Sequence, residues 1–237
     1  MPSSLRRFHQ RIRRRRRQAL TPWLVLLAVL GLAGAAGWTV FRTSVFGVRE
    51  VVVTGADVVT PTQVRTAARV VLGTPLATVD VDRIRDRVAA LAPVRSATVR
   101  RQWPSTLVID VVERTAVAAV PTGERFRLID DQGVVFRTVR ARPDGLPRVR
   151  LDKPGREDPT TQAALRVLAA LTPTLRDRLG ALVAESPTRL KLELTGDKTV
   201  IWGDAEESDK KAKVATALLD RTGTVIDVSA PEIVTVG

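Results

Sequence analysis

Residues 91–113 read LAPVRSATVRRQWPSTLVIDVVE, and this stretch decides how the folded part of the chain is built. Pro93 stops a helix, because proline has no amide hydrogen and its ring blocks the preceding turn. Val94–Arg101 and Thr106–Glu113 then read as two strands joined through Trp103-Pro104-Ser105, where proline fixes φ and pushes Gln102-Trp103 toward extended geometry. In the second strand Leu107, Ile109 and Val111 alternate with Val108, Asp110 and Val112, the period of a sheet with one covered face. The Trp103 ring is expected to pack over this sheet rather than act as a platform for a ligand. Arg100, Arg101 and Arg114 suit its wet face as well as they would suit a partner.

Upstream, Val48–Val53 is rich in β-branched residues and ends at a Thr54-Gly55 turn. Thr60-Pro61-Thr62-Gln63 has the form of a helix start, with Thr60 at the cap, proline at the first helical position and Gln63 placed to complete a capping box. Val64, Ala67, Ala68 and Val71 follow at helical spacing, with Gly73 closing the element. Asp80 caps a second helix with Ile84, Val88 and Leu91 on one face. The order is β-α-α-β-β.

Downstream, Phe126–Asp130 and Val134–Val139 form a hairpin around Asp131-Gln132-Gly133. A proline-rich connection leads to a helix carrying Ala164, Leu165, Leu168 and Leu171. Leu190, Leu192 and Leu194 alternate with Lys191 and Glu193 in a half-buried strand that turns at Thr195–Lys198 into Thr199–Trp202. Ser208–Leu219 reads as a helix and Thr224–Ser229 as the last strand, with Pro231 restricting any continuation of the sheet. The fold class is therefore α+β.

Charge is concentrated at the start. The chain has 237 residues and a formal net charge of +13, yet residues 1–17 hold eight Arg and no acid, and residues 18–41 hold no charge. A helix over 21–41 would measure ~31 Å, close to the ~30 Å hydrocarbon thickness of a bilayer, with Trp23 and Trp38 near its two ends. The Arg cluster predicts a cytoplasmic N-terminus and an exported remainder. A cleaved signal peptide is the rival reading, supported by Ala33-Gly34-Ala35, but its apolar region would be shorter. The Arg run is read as a topology signal on anionic lipid rather than as a nucleic-acid arm. Gly31, Ala35 and Ala33, Gly37 permit close helix packing without predicting it.

There is no Cys, and the sole His is His9, which excludes disulfides, structural zinc, thiol nucleophiles and His-based acid–base chemistry in the folded part. Ser208-Asp209-Lys210-Lys211 matches a bare Ser-x-x-Lys pattern, but the elements that support it in penicillin-binding enzymes are missing, and a helix start explains it. Asp130 and Asp131 are read as turn residues rather than a paired acid and base. No catalytic residue, cofactor or metal site is expected.

The stretch 46–55, FGVREVVVTG, resembles the opening of a POTRA domain of the FtsQ/DivIB type of bacterial cell-division protein, and residues 91–109 resemble that family's proline-valine, strand, tryptophan-proline, strand signature. Val112–Ala118 is similar to the family's Glu-Arg-x-Pro-Val-Ala, with Thr115 where many members have proline, and Leu128–Phe136 resembles its next strand–turn–strand. The resemblance implies a basic cytoplasmic tail (1–20), a transmembrane helix (21–41), a POTRA domain (45–114), a β-rich α+β domain (115–230) and a C-terminal tail (231–237). It implies a non-enzymatic, single-pass scaffold at the division septum. Its partners would be divisome membrane proteins of the FtsB/DivIC and FtsL kinds, linking it to septal peptidoglycan synthesis, with the lipid bilayer but no nucleic acid and no small-molecule substrate. The alternatives are a POTRA-containing secretion or outer-membrane assembly factor, although no barrel-length series of strands is present, and a membrane-anchored wall hydrolase.

An edge strand with unpaired amides is a template for another chain. Val225, Ile226, Asp227, Val228 and Ser229, read as the terminal strand, are accordingly the candidate partner-binding residues. Alternation separates Val225, Asp227 and Ser229 from Ile226 and Val228, with the buried face left open. Proline at Ile226 or Val228 is expected to abolish partner recovery.

Overall fold

In a computed structural model of the chain, the described residues are 22–35, 37–39, 46–230 and 235–236. The expected basic tail, residues 21, 40 and 41 at the ends of the span, Val45 and residues 231–234 and 237 lie outside them. Helix α1, Pro22–Thr39, has 18 residues and is long and apolar enough to cross a membrane; none of it is buried against the protein. At ~1.5 Å per residue it measures ~27 Å.

The contacts of the chain divide it into two compact units, one including residues up to Ala89 and Ser96–Val111, the other Ala90–Arg95 and everything from Val112. In the first, β1 (Glu50–Thr54), α2 (Pro61–Ala68), α3 (Val81–Ala89), β2 (Val94–Gln102) and β3 (Thr106–Glu113) realise the β-α-α-β-β order. The sheet order is β1-β3-β2, and β1 runs parallel to β3 with Val51 opposite Leu107 and Val53 opposite Ile109. The capping box at Thr60 and Gln63 forms in full, and the Asp80 carboxylate accepts from the Arg83 amide at 3.0 Å. Val64, Ala68, Ile84, Val88, Leu107 and Ile109 are all buried, each large apolar group stabilising the unit by ~1.5–3 kcal/mol.

Three expectations fail here. Helix α3 ends at Ala89 and leaves Leu91 beyond it. Helix α2 stops at Ala68, with Arg69 at φ 49° as its left-handed cap, so Val71 leaves the helical stripe and stands exposed in a loop. The Gly73 amide donates instead to the Val48 carbonyl at 2.8 Å. Trp103 is half-exposed rather than packed over the sheet, with its ring edge-to-face with Phe46 at 5.9 Å.

In the second unit, β4 (Ala118–Thr122), β5 (Arg125–Ile129) and β6 (Val135–Val139) form one antiparallel sheet. A six-stranded sheet contains β7 (Val149–Arg150), β8 (Leu179–Ser186), β9 (Arg189–Leu194), β10 (Thr199–Gly203), β11 (Val225–Asp227) and β12 (Thr235–Val236), in the order β12-β11-β10-β9-β8-β7. Helices α4 (Pro159–Ala170), α5 (Pro173–Asp177) and α6 (Ser208–Leu218) complete the unit, with α4 in contact with β8 and α6. Leu190, Leu192, Leu194, Val200, Trp202, Ile226 and Val228 join Leu165, Leu168, Ala212 and Ala215 in one core. Lys191, Glu193 and Ile201 alternate onto the other, wetter face.

Candidate partner-docking edge

The candidate residues sit at one margin of the six-stranded sheet. Val225, Ile226 and Asp227 form β11, and Val228 and Ser229 continue from it. β11 runs parallel to β10, pairing Thr199 with Val225, Val200 with Ile226 and Ile201 with Asp227. The Val228 amide donates to the Ile201 carbonyl at 2.9 Å. Ile226 and Val228 are fully buried in the core, whereas Val225 is 37% exposed and Ser229 is exposed. The face left open by the sequence is thus resolved. Proline at Ile226 or Val228 would damage the core of this unit itself, so a loss of partner caused by either substitution would carry no information about docking.

One expectation is corrected. Val225–Ser229 is not the last strand, because β12 lies antiparallel on its outer side, with Val236 opposite Ile226 and Thr235 opposite Asp227. Among the described residues two pairs cap the edge, and they fall in the stretch read as a tail after Pro231. A two-residue strand has no periodicity to detect, so nothing in the pattern announces it.

Local chemistry fixes this margin. The Asp227 carboxylate accepts from the Ser229 amide at 2.9 Å, which bends the chain after β11. Gly203 ends β10 at φ 75°, and a Cβ there would lie 2.9 Å from the Ser229 Cβ. Only glycine admits both the left-handed backbone and the close approach.

The Ser-x-x-Lys pattern is absorbed by structure. Ser208 Oγ accepts from the Trp202 indole at 3.2 Å and donates to the Ala205 carbonyl at 2.9 Å. Lys211 is 2% exposed, and its ammonium donates to Asp204 Oδ1 at 2.7 Å and to the Asp204 carbonyl at 3.1 Å. That hydrogen bond holds the Asp204 carboxyl below its ordinary range against the opposing effect of burial, and the Glu206 amide adds to it. A lysine held this way anchors a helix start.

Asp130 and Asp131 are likewise structural. The buried Asp130 carboxylate accepts from the amides of Gln132 and Val134 and from Arg114 Nη1 at 2.5 Å. Asp131 takes a bidentate contact from Arg95 at 2.8 and 3.1 Å.

The order of these parts defines a class: a POTRA-bearing protein with one helix fit to cross a membrane and a β-rich C-terminal unit. Residues 46–114 match the model of the FtsQ-type POTRA domain, and residues 118–234 match that of the C-terminal region of cell division protein FtsQ/DivIB. The chain is 40% identical over 212 residues to the cell division protein FtsQ of Mycobacterium tuberculosis, covering 90% of this chain and 67% of that one. It is 34% identical over 226 residues to the FtsQ of Streptomyces coelicolor, covering 90% and 85%. Among solved structures it is similar to the major extracytoplasmic domain of the trans isomer of DivIB from Geobacillus stearothermophilus, at 16% identity and a TM-score of 0.34, covering 46% of this chain and 98% of that one. The chain belongs to the FtsQ/DivIB family of bacterial cell-division proteins.

Proposed function

We propose that this chain is a non-catalytic, single-pass scaffold of the divisome, with its N-terminus in the cytoplasm, residues 45–114 and 115–230 outside it, and its place at the septum. Its partners are division membrane proteins of the FtsB/DivIC and FtsL kinds, through which it is coupled to septal peptidoglycan synthesis. The observation that carries the docking mechanism is the margin of the six-stranded sheet: among the described residues, two residue pairs of β12 cover the outer side of Val225–Ser229. A partner strand either adds beyond β12 or takes its place on β11, with main-chain hydrogen bonds supplying the affinity. Val225, exposed and outward, reads the partner's side chains.

A photo-crosslinking residue at Val225 in the full chain, in dividing cells, tests this. Covalent capture of an FtsB/DivIC-like or FtsL-like protein is expected from Val225 and not from Glu124, which lies in the turn between β4 and β5. Capture from both sites alike, or from neither while division proceeds, contradicts the proposal.

A further inference from the structure

The first unit exposes three large apolar side chains on the loops around residues 46–49. Val71 is 72% exposed, Leu72 64% and Trp103 51%, although all three belong to residue types that normally bury. They come from two loops that bracket the same short segment, residues 46–49. On one side Gly47 bridges to Pro75, and the Val48 amide and carbonyl bond to Thr74 and Gly73 at 2.9 and 2.8 Å. A Cβ on Gly47 would lie 2.6 Å from the Gly73 carbonyl oxygen, so the two backbones are pressed together. On the other side Phe46 meets the Trp103 ring, and the Arg49 amide donates to the Ser105 carbonyl at 2.8 Å. Arg101 clamps the Leu76–Thr78 turn by donating to the carbonyls of Leu76 and Val79 at 2.9 and 2.7 Å. The exposed groups are therefore held out by a braced scaffold.

The length of chain that tethers the patch points to its cover. Helix α1 ends at Thr39 and the first unit begins to pack at Phe46, seven residues later. Even fully extended, that link spans at most ~25 Å. If α1 crosses a bilayer, the segment bracketed by Val71, Leu72 and Trp103 is tethered within that distance of its end. Trp favours the headgroup region, and small apolar side chains gain by entering its edge. The nearby charges are mostly cationic: Arg49, Arg69 and Arg101, against Glu50.

We propose that Val71, Leu72 and Trp103 form a docking patch that seats the first unit on the lipid surface of the bilayer crossed by α1, with Arg49 and Arg69 strengthening it on anionic lipid. This goes beyond partner docking, which uses the opposite end of the sequence, and it depends on α1 spanning.

The chain has no cysteine, so single labels can be placed without background. Full-length protein carrying an environment-sensitive fluorophore at Leu72→Cys, Trp103→Cys or Glu124→Cys is placed in bilayers of phosphatidylcholine and phosphatidylglycerol, with and without nitroxide-bearing lipid. Blue-shifted emission and several-fold stronger quenching are expected at 72 and 103 than at 124. Val71→Asp with Leu72→Asp should return the label at 103 to the level of the control, and replacing phosphatidylglycerol by phosphatidylcholine should weaken the effect without removing it. Quenching at 72 and 103 no stronger than at 124 overturns the proposal, and a label at Leu27→Cys then tells whether the span itself failed. Concentration-dependent self-quenching without lipid quenching also overturns it and assigns the patch to a second copy of the chain.

Discussion

Two ion pairs, each with at least one buried partner, secure the second unit at single positions. Arg114 and Asp130 are almost fully withdrawn from water, with side chains 13% and 0% exposed. Arg114→Ala leaves the carboxylate buried with only backbone donors, and urea unfolding should show a loss of about 3 kcal/mol or more. Lys211 is buried too, but Asp204 is 43% exposed, so its partners are unequal. Asp204→Asn removes the countercharge of a buried ammonium but keeps an oxygen that can accept from it, and should cost about 1–2 kcal/mol, whereas Lys211→Met replaces it with an apolar side chain of similar length and should cost less than about 1 kcal/mol. The Asp204 pKa is depressed in the folded state, chiefly by the hydrogen bond from Lys211. Its contribution is therefore complete above the ordinary carboxylate range and fades as pH falls through the lowered folded value. The stability gap between the native chain and Asp204→Asn should close in acid, and a gap that widened there would refute the assignment. Lys211→Met also separates scaffold from enzyme: a hydrolase using Ser208 and Lys211 would lose activity on peptidoglycan, while the scaffold shows none before or after the change.

At the scale of elements, what the sequence made legible and what it hid divide along physical lines. Thr60, Pro61 and Gln63 encode a helix start in chemistry local to four residues, and the cap forms as read. β3 and β9 carry clear alternation, and they, β2, β10 and α6 emerge near their expected bounds. β8 does not, because its LGALVAES run holds good helix formers and a glycine; burial between β7 and β9 overrides that preference. β4 includes Pro121, and β12 has two residues, so neither shows a usable alternation. At the candidate edge the strand itself was readable, while its buried face depended on β10, distant in sequence, and its cover on a strand too short to show a pattern. The junction of β10 and β11 gives a further prediction. Gly203→Ala must accept a positive φ and a contact of 2.9 Å to Ser229, and it should cost about 1–3 kcal/mol while reducing capture of the partner at Val225.

For the whole molecule, the proposed topology puts the Arg-rich start in the cytoplasm and both units on the other side of the membrane. Protease added to intact spheroplasts should digest the unit that begins in earnest at Val112, and protection of that unit would reverse the topology. In the proposed function a partner strand is received at the margin made by β11 and β12. Hydrogen–deuterium exchange of the full chain in lipid nanodiscs, with and without the FtsB/DivIC-like and FtsL-like pair, addresses it amide by amide. Slowed exchange concentrated in 225–229 and 235–236 when the pair is added is the predicted result. Protection confined to other surfaces, with exchange at this margin unchanged, would contradict the account.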